Sequence, residues 1–514
     1  MDVQPRLRSQ VSSVQLISLV LSRHWKKYGN VKCNSKFIED MQYLEDHGME
    51  ITKPTTMTVK VGLAYIIGDN LGAHTVSEMS QSFSSGFVCR WCKITYDDIH
   101  NKRFCYKECS SDFNVTKWTV EDYDNLADTA ESSGLPQQGI KRHSAFNSLK
   151  SFHCVGQLPP CCGHDFFEGV FAYDIQFYLD YIVNNEKLIT AECLNEKITL
   201  AILSERDASN RPKPFKTRKH GSKYEGNANS LRILCRIITM LISVEASESV
   251  VFPYIIKLQE MSELISAFKL NLYEIDNILH FTIIEYLEMR VTGIDSFGMD
   301  SLKPKHHYLS HYSELFKMHG PLIYLWGLRM ESKHVFFKNT ARNAKSFKNI
   351  ALTCASRHQM AQISYGYGGL FLDKFFIPKT APSKNVVLAN CHDVYVQKFA
   401  LSLKDGSLLP SKITAFGLDY KIGKVLILKK SDIGQTLTVG LVRAIGVSGR
   451  EICFGCSTFE AEQSQYGFYS TQKDLKSFCH VLLEDLLDFY PLQRIGPQSD
   501  FCFSLHHYIS RNIH

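Results

Sequence analysis

The sequence predicts an α/β fold: a strand, helix, strand opening, a large helical block, and a small β-rich region at the end. Three observations predict it. Short β-branched apolar runs flank a helical pattern before residue 70. From about Phe166 to Arg290 apolar residues recur at three- and four-residue steps. After Tyr365 glycines and turn residues separate short β-favouring runs.

Val14 to Ser22, VQLISLVLS, reads as a buried strand. KFIEDMQYLEDHG follows with helical spacing at Phe37, Met41 and Leu44, and Gly48 is its stop. Thr58 to Ile67, TVKVGLAYII, is the second strand, ending at Gly68-Asp69-Asn70; a carboxylate at a strand end is an α/β feature. Leu71 to Phe83 is weakly helical, and Asp112 to Gly139 reads as irregular surface. EGVFAYDIQFYLDYIV, LRILCRIITMLISV, VVFPYIIKLQEMSELISAF and DNILHFTIIEYLEMRV form the helical block. Arg211 to Lys223 interrupts it as a basic loop suited to phosphates, to nuclear import, or merely to water. KVLILKK, LTVGLVRAIGV and REICFGCSTF are strands of the last region, Leu475 to Phe489 reads as an amphipathic helix, and FCFSLHHYI as a final strand. The expected domains are therefore 1–92, 93–300, 301–368 and 369–514.

At 514 residues with 44% hydrophobic content, the chain has material for several cores. A net charge of +6 permits nucleic-acid binding through local patches without demanding it. The first twenty residues lack a secretory pattern, and no apolar run reaches the roughly 18 residues of a membrane span, so no membrane partner is expected. The expected compartment is reducing, where paired members of the 16 cysteines are metal ligands rather than disulfides.

The chemistry concentrates in Lys303 to Lys338, KPKHHYLSHYSELFKMHGPLIYLWGLRMESKHVFFK. On a helix His307 and His311 share a face, with His306 about one hundred degrees round from His307. Gly320-Pro321 stops and restarts the chain, and a second helix from Leu322 carries Glu331, followed by the cations Lys333, His334 and Lys338. Upstream, Cys89-x-x-Cys92 has the spacing with which one turn grips zinc. Its remaining ligands are either Cys105 and Cys109, a local finger, or the distant pair of His306 or His307 with His311. The bland readings stand beside these: Asp69 as a helix cap, the histidines and cations as solvated surface, Trp326 and Phe336 as core.

In order along the chain, VGLAYIIGDNLGAH, CRWC, PPCCGHDFFEGV and the Lys303 to Lys338 stretch resemble the animal members of the CACTA (En/Spm-type) cut-and-paste transposases. These are relatives of the Transib transposases and of the V(D)J recombinase catalytic subunit. The resemblance covers roughly Val14 to Arg357. It implies a ribonuclease-H-like core with an acidic triad, interrupted by a helical insertion. Carried over, Asp69 matches the second acid and Glu331 the third, while Cys89, Cys92, His306 and His311 match the structural zinc ligands, with His307 the rival of His306. Cys161-Cys-Gly-His164 matches the family's C/D-x-x-H motif, and Asp165 and Glu168 are alternative third acids. The first acid belongs two strands before Val14. Asp2, the one acid upstream of that strand, falls where a loop is expected, so the core is expected to be N-terminally truncated.

In-line phosphodiester cleavage uses two divalent cations about 4 Å apart, and magnesium or manganese needs few carboxylates for this because substrate phosphate and water complete its shell. The expectation is a nuclear, transposase-derived DNA-processing protein of the DDE type. Its partners would be transposon ends, target DNA and a second copy, and it would be inactive for want of the first acid. The alternative is a catalytically dead DNA-binding or scaffolding module stabilised by structural zinc.

Overall fold

A computed structural model describes residues 14–52, 55–100, 116–219, 221–293, 301–345, 347–367, 375–378, 380–431 and 436–510. It is mixed α/β, with a helical region and a β-rich C-terminal sheet. The chain divides into two compact units, each of separated stretches. The cluster unit is Arg8–Ala172 with Leu272–Ser364; the sheet unit is Met1–Leu7, Tyr173–Asn271 and Tyr365–His514.

In the cluster unit the first expected strand does not form. Residues 14–21 have no regular structure, Ile17 is 72% exposed, and the helix Ser22–Asp46 begins inside the predicted run. A strand persists only where a neighbour takes up its N–H and C=O groups, and among the described residues no strand pairs with this one. The helix ends at Asp46, and Gly48 just beyond it has φ +75° and no room for a side chain, an added Cβ sitting 2.9 Å from Val59 O. Strands β1 (Met49–Ile51) and β2 (Met57–Val59) then pair antiparallel, Met49 opposite Val59. The second expected strand, Thr58 to Ile67, therefore leaves its ladder at Val59. Beyond it the exposure still alternates, but the backbone bonds elsewhere: Val61 N–H to Leu44 O, Leu63 N–H to Ser151 Oγ, Ile66 N–H to Gln157 O. A period of two encodes an extended, half-buried chain; it does not encode a partner strand.

The stretch expected to be irregular, Asp112 to Gly139, contains the helix Val120–Ser133. Residues 112–115 lie outside the described residues. Thr119 and Asp122 cap the helix reciprocally, Gly134 closes it at φ +68°, and Tyr123, Ala127 and Ala130 give it a buried face. Further on, Gly163–Phe171 is a helical stretch of wide π turns. The histidine stretch forms Pro304–Leu309, Tyr312–His319, a 3₁₀ turn Leu322–Leu325, and the helix Leu328–Ala344. The second helix thus starts at Leu328, not Leu322. The break is where Trp326 turns inward to stack on Phe167, ring centroids 5.7 Å apart, in space left by Gly163.

The sheet unit has the helices Ala191–Leu200, Ala228–Ala246 and Phe252–Ile265, the first two capped by Thr190 and Asn227. Its strands are β3 (Phe375–Phe376), β4 (Lys412–Ala415), β5 (Leu418–Lys421), β6 (Val425–Lys430), β7 (Thr436–Ser448), β8 (Glu451–Gln463), β9 (Tyr469–Leu482), β10 (Asp488–Leu492) and β11 (Cys502–Phe503). They make a three-stranded sheet, β3-β4-β5, and a six-stranded sheet, β10-β6-β7-β8-β9-β11. Ser448 faces Glu451 across a two-residue turn whose first residue, Gly449, has φ +63°, the conformation a tight hairpin needs. Val425 and Ile427 enter one apolar cluster and Leu426 the other, so both faces of the large sheet are covered. The helix expected at Leu475 to Phe489 is instead the end of β9, a 3₁₀ turn and the start of β10. Pairing with β8 supplies bonds that override local helical spacing. In the last expected strand Phe501, Phe503, Leu505 and Ile509 are buried, although only Cys502–Phe503 forms a ladder. Among the described residues no helix is long and apolar enough to cross a membrane.

Candidate metal centre

Within the cluster unit Cys89, Cys92, His307 and His311 meet as a buried group whose ligand atoms all lie within 4.8 Å of one another. Cys92 Sγ is 3.1 Å from His307 Nε2, Cys89 Sγ is 3.6 Å from His311 Nε2, and the two Nε2 atoms are 3.1 Å apart. Zinc bonds of about 2.0 to 2.3 Å imply tetrahedral edges of about 3.3 to 3.8 Å, so these spacings need only small adjustments to close on an ion. The donor set, two thiols and two imidazoles, suits zinc, and the group is able to hold it.

The local sequence explains the placement. The Trp91 N–H points at Cys89 Sγ, and Trp118 Nε1–H donates to Cys89 O, which pins the turn. The Tyr308 hydroxyl donates to Val88 O, and so joins the histidine helix to the cysteine turn. Burial alone would raise the Cys89 thiol; hydrogen bonds from Cys92 and the histidines, with the charge of His311, hold it well below its ordinary value. Burial lowers His307, favouring the neutral ring that binds metal.

His306 is not in the group, and His307 takes the place assigned to it. His306 Nδ1 accepts the Lys303 N–H at 2.9 Å and caps the helix Pro304–Leu309. The physical reason is helical register: His307 and His311 point the same way, while the preceding residue is turned aside. Cys105, Cys109 and Asp2 lie outside the described residues.

A second constellation lies in the same unit. His164 Nε2 is 3.0 Å from Glu331 Oε1, and His164 Nδ1 is 3.1 Å from Cys161 Sγ. The Cys161 hydrogen bond, working against burial and aided by the charges of Cys161, Glu331 and Glu168, raises His164 to about 9. Asp69 caps the helix Asn70–Val76, its Oδ1 accepting the Gly72 N–H at 2.6 Å. The three stretches approach at Gly327, one turn before Glu331: a Cβ added there would lie 3.5 Å from Cys161 Sγ and 3.7 Å from Ile67 Cγ2, two residues before Asp69. Of the alternative acids, Asp165 is buried and accepts from Asn70 Nδ2 at 2.6 Å, which makes it part of the packing. Glu168 acts on His164 through its charge.

The cationic face is narrower than its sequence. Lys333 is only 5% exposed, lies over the Phe336 ring, and burial lowers its pKa. His334, Lys338 and Arg342 are exposed at three, seven and eleven residues after Glu331, on its side of the helix. Arg342 was not singled out by sequence, though the helical step of four from Lys338 reaches it. In the basic loop, Lys213 and Arg218 pair with Glu225, and Arg211 binds Ile198 O and Ala201 O. Comparison with family models, with curated proteins and with solved structures gives no match.

Proposed function

We propose that the chain is a transposase-derived DNA-processing protein of the DDE type, on a ribonuclease-H-like plan, whose ancestral reaction is metal-dependent cleavage and transfer of DNA strands. The observation that carries this reading is the assembly of Cys89 and Cys92 with histidines 215 and more positions later. The approach of the stretches bearing Asp69, His164 and Glu331 supports it. In this reading the thiol and imidazole group holds structural zinc, and Asp69 and Glu331 face the scissile phosphate. Magnesium or manganese, when bound there, supplies charge stabilisation to the attacking and leaving oxygens. His164 orients the Glu331 carboxylate, and His334, Lys338 and Arg342 attract the DNA backbone. The partners are transposon ends, target DNA and a second copy, and the location is the nucleus.

A second reading, a non-catalytic DNA-binding or scaffolding module, is favoured by Asp69 itself, whose oxygen already serves as a helix cap. Protection from unfolding by Mn²⁺, measured alongside DNA affinity, separates the two. The first reading expects Mn²⁺ to stabilise the unaltered chain, an effect abolished in Asp69→Asn and Glu331→Gln with DNA affinity retained. Equal DNA affinity in all three proteins, with no difference in their response to Mn²⁺, leaves the second.

A further inference from the structure

Four buried polar residues form a chain through the cluster unit. Arg90 Nη1 donates to Asn70 Oδ1 at 2.6 Å, Asn70 Nδ2 donates to Asp165 Oδ1 at 2.6 Å, and the Tyr312 hydroxyl reaches Asp165 Oδ2 at 3.5 Å. Each is buried. Arg90 is further held by Leu158 O, Pro159 O and the Trp91 ring face.

Each member stands next to a residue of one of the two constellations. Arg90 lies inside the Cys89 to Cys92 turn and Tyr312 follows His311; Asn70 follows Asp69 and Asp165 follows His164. A buried guanidinium and a buried carboxylate, joined by one amide, fix each other's positions because displacing either leaves a charge without compensation in a low dielectric. Asn70 suits the middle position: its carbonyl faces the cation and its amide faces the anion.

We infer that Arg90, Asn70, Asp165 and Tyr312 are positioning residues that transmit the state of the Cys₂His₂ centre to the turn carrying Asp69. Closing the thiols and imidazoles on a metal sets Arg90 and Tyr312, and these set Asn70 and Asp165 between them. The inference rests on the group binding metal and is independent of whether the chain cleaves DNA.

The test uses the full chain and Co²⁺ as probe, following its visible absorption for binding and hydrogen exchange of residues 69–76 for the turn. Co²⁺ is expected to slow exchange there in the unaltered protein. In Asn70→Ala, whose metal ligands are intact, Co²⁺ should still bind but no longer slow that segment. Asp165→Asn should weaken Co²⁺ binding by roughly tenfold, as loss of support around a metal site does. Thr119→Ala, which removes a helix cap outside the chain of contacts, should keep the full response, so general destabilisation is told apart from loss of coupling. Should Asn70→Ala not fold, Tyr312→Phe removes only a hydroxyl, and a partial loss of response is expected. An undiminished response in a folded Asn70→Ala, or in Tyr312→Phe, overturns the coupling. Failure of the unaltered chain to bind Co²⁺ overturns the metal centre and the coupling together.

Discussion

In the sheet unit, neighbours in space are largely neighbours in sequence: β6, β7, β8 and β9 succeed one another in both. In the cluster unit the decisive partners are remote, with 95 positions between Asn70 and Asp165 and 222 between Cys89 and His311. Hairpins close short loops and bury apolar area on both faces as they form. Remote side chains must instead overcome the entropy of long loops, which a few strong polar or metal contacts do better than diffuse packing. The cluster unit has an apolar core of its own around Met41, Tyr123, Phe146 and Phe152, and the remote polar contacts add to it.

The largest expected effect comes from the metal centre. A chelator, Cys89→Ala or His307→Ala should cost the cluster unit on the order of several kcal/mol. Exchange should rise across 303–319 and stay unchanged across β7 and β8, and an equal rise in both would break the contrast. Metal analysis should show about one zinc per chain, kept in His306→Ala and Cys105→Ala. Next, Phe454→Ala, at a fully buried position of β8, should cost about 3–5 kcal/mol in denaturant unfolding while zinc content is unaltered.

A smaller effect is pH-dependent. His164 is raised from its ordinary 6.5 to about 9, so its contribution to stability is complete below pH 6.5 and disappears as pH climbs through 9. In Glu331→Gln the imidazole should titrate at lower pH by NMR; an unchanged titration removes Glu331 as a partner of His164. The smallest effect is expected from Thr119→Ala, about 1 kcal/mol by thermal unfolding, because one cap is lost at an exposed helix start.

Several elements were legible because their signals are local. Gly48 as a stop, the helical block and the β runs of the last region follow from spacing and turn residues. The helix Val120–Ser133 was missed: Thr119-x-x-Asp122 marks its start, but its polar composition reads as surface. Val14 to Ser22 and Leu475 to Phe489 were not legible, because whether an apolar run becomes strand, helix or neither depends on which backbone lies beside it.

For the site, the sequence by itself determined the ligand types and the Cys-x-x-Cys turn, and narrowed the partner of His311 to His306 or His307, of which the fold uses His307. The tertiary structure decided that thiols and imidazoles meet, that Glu331 lies against His164, and that Lys333 is buried while Lys338 is not. The reason is reach. Dihedral preferences and side-chain period act over a few residues, whereas bringing together groups hundreds of positions apart is decided by the packing of every element between them.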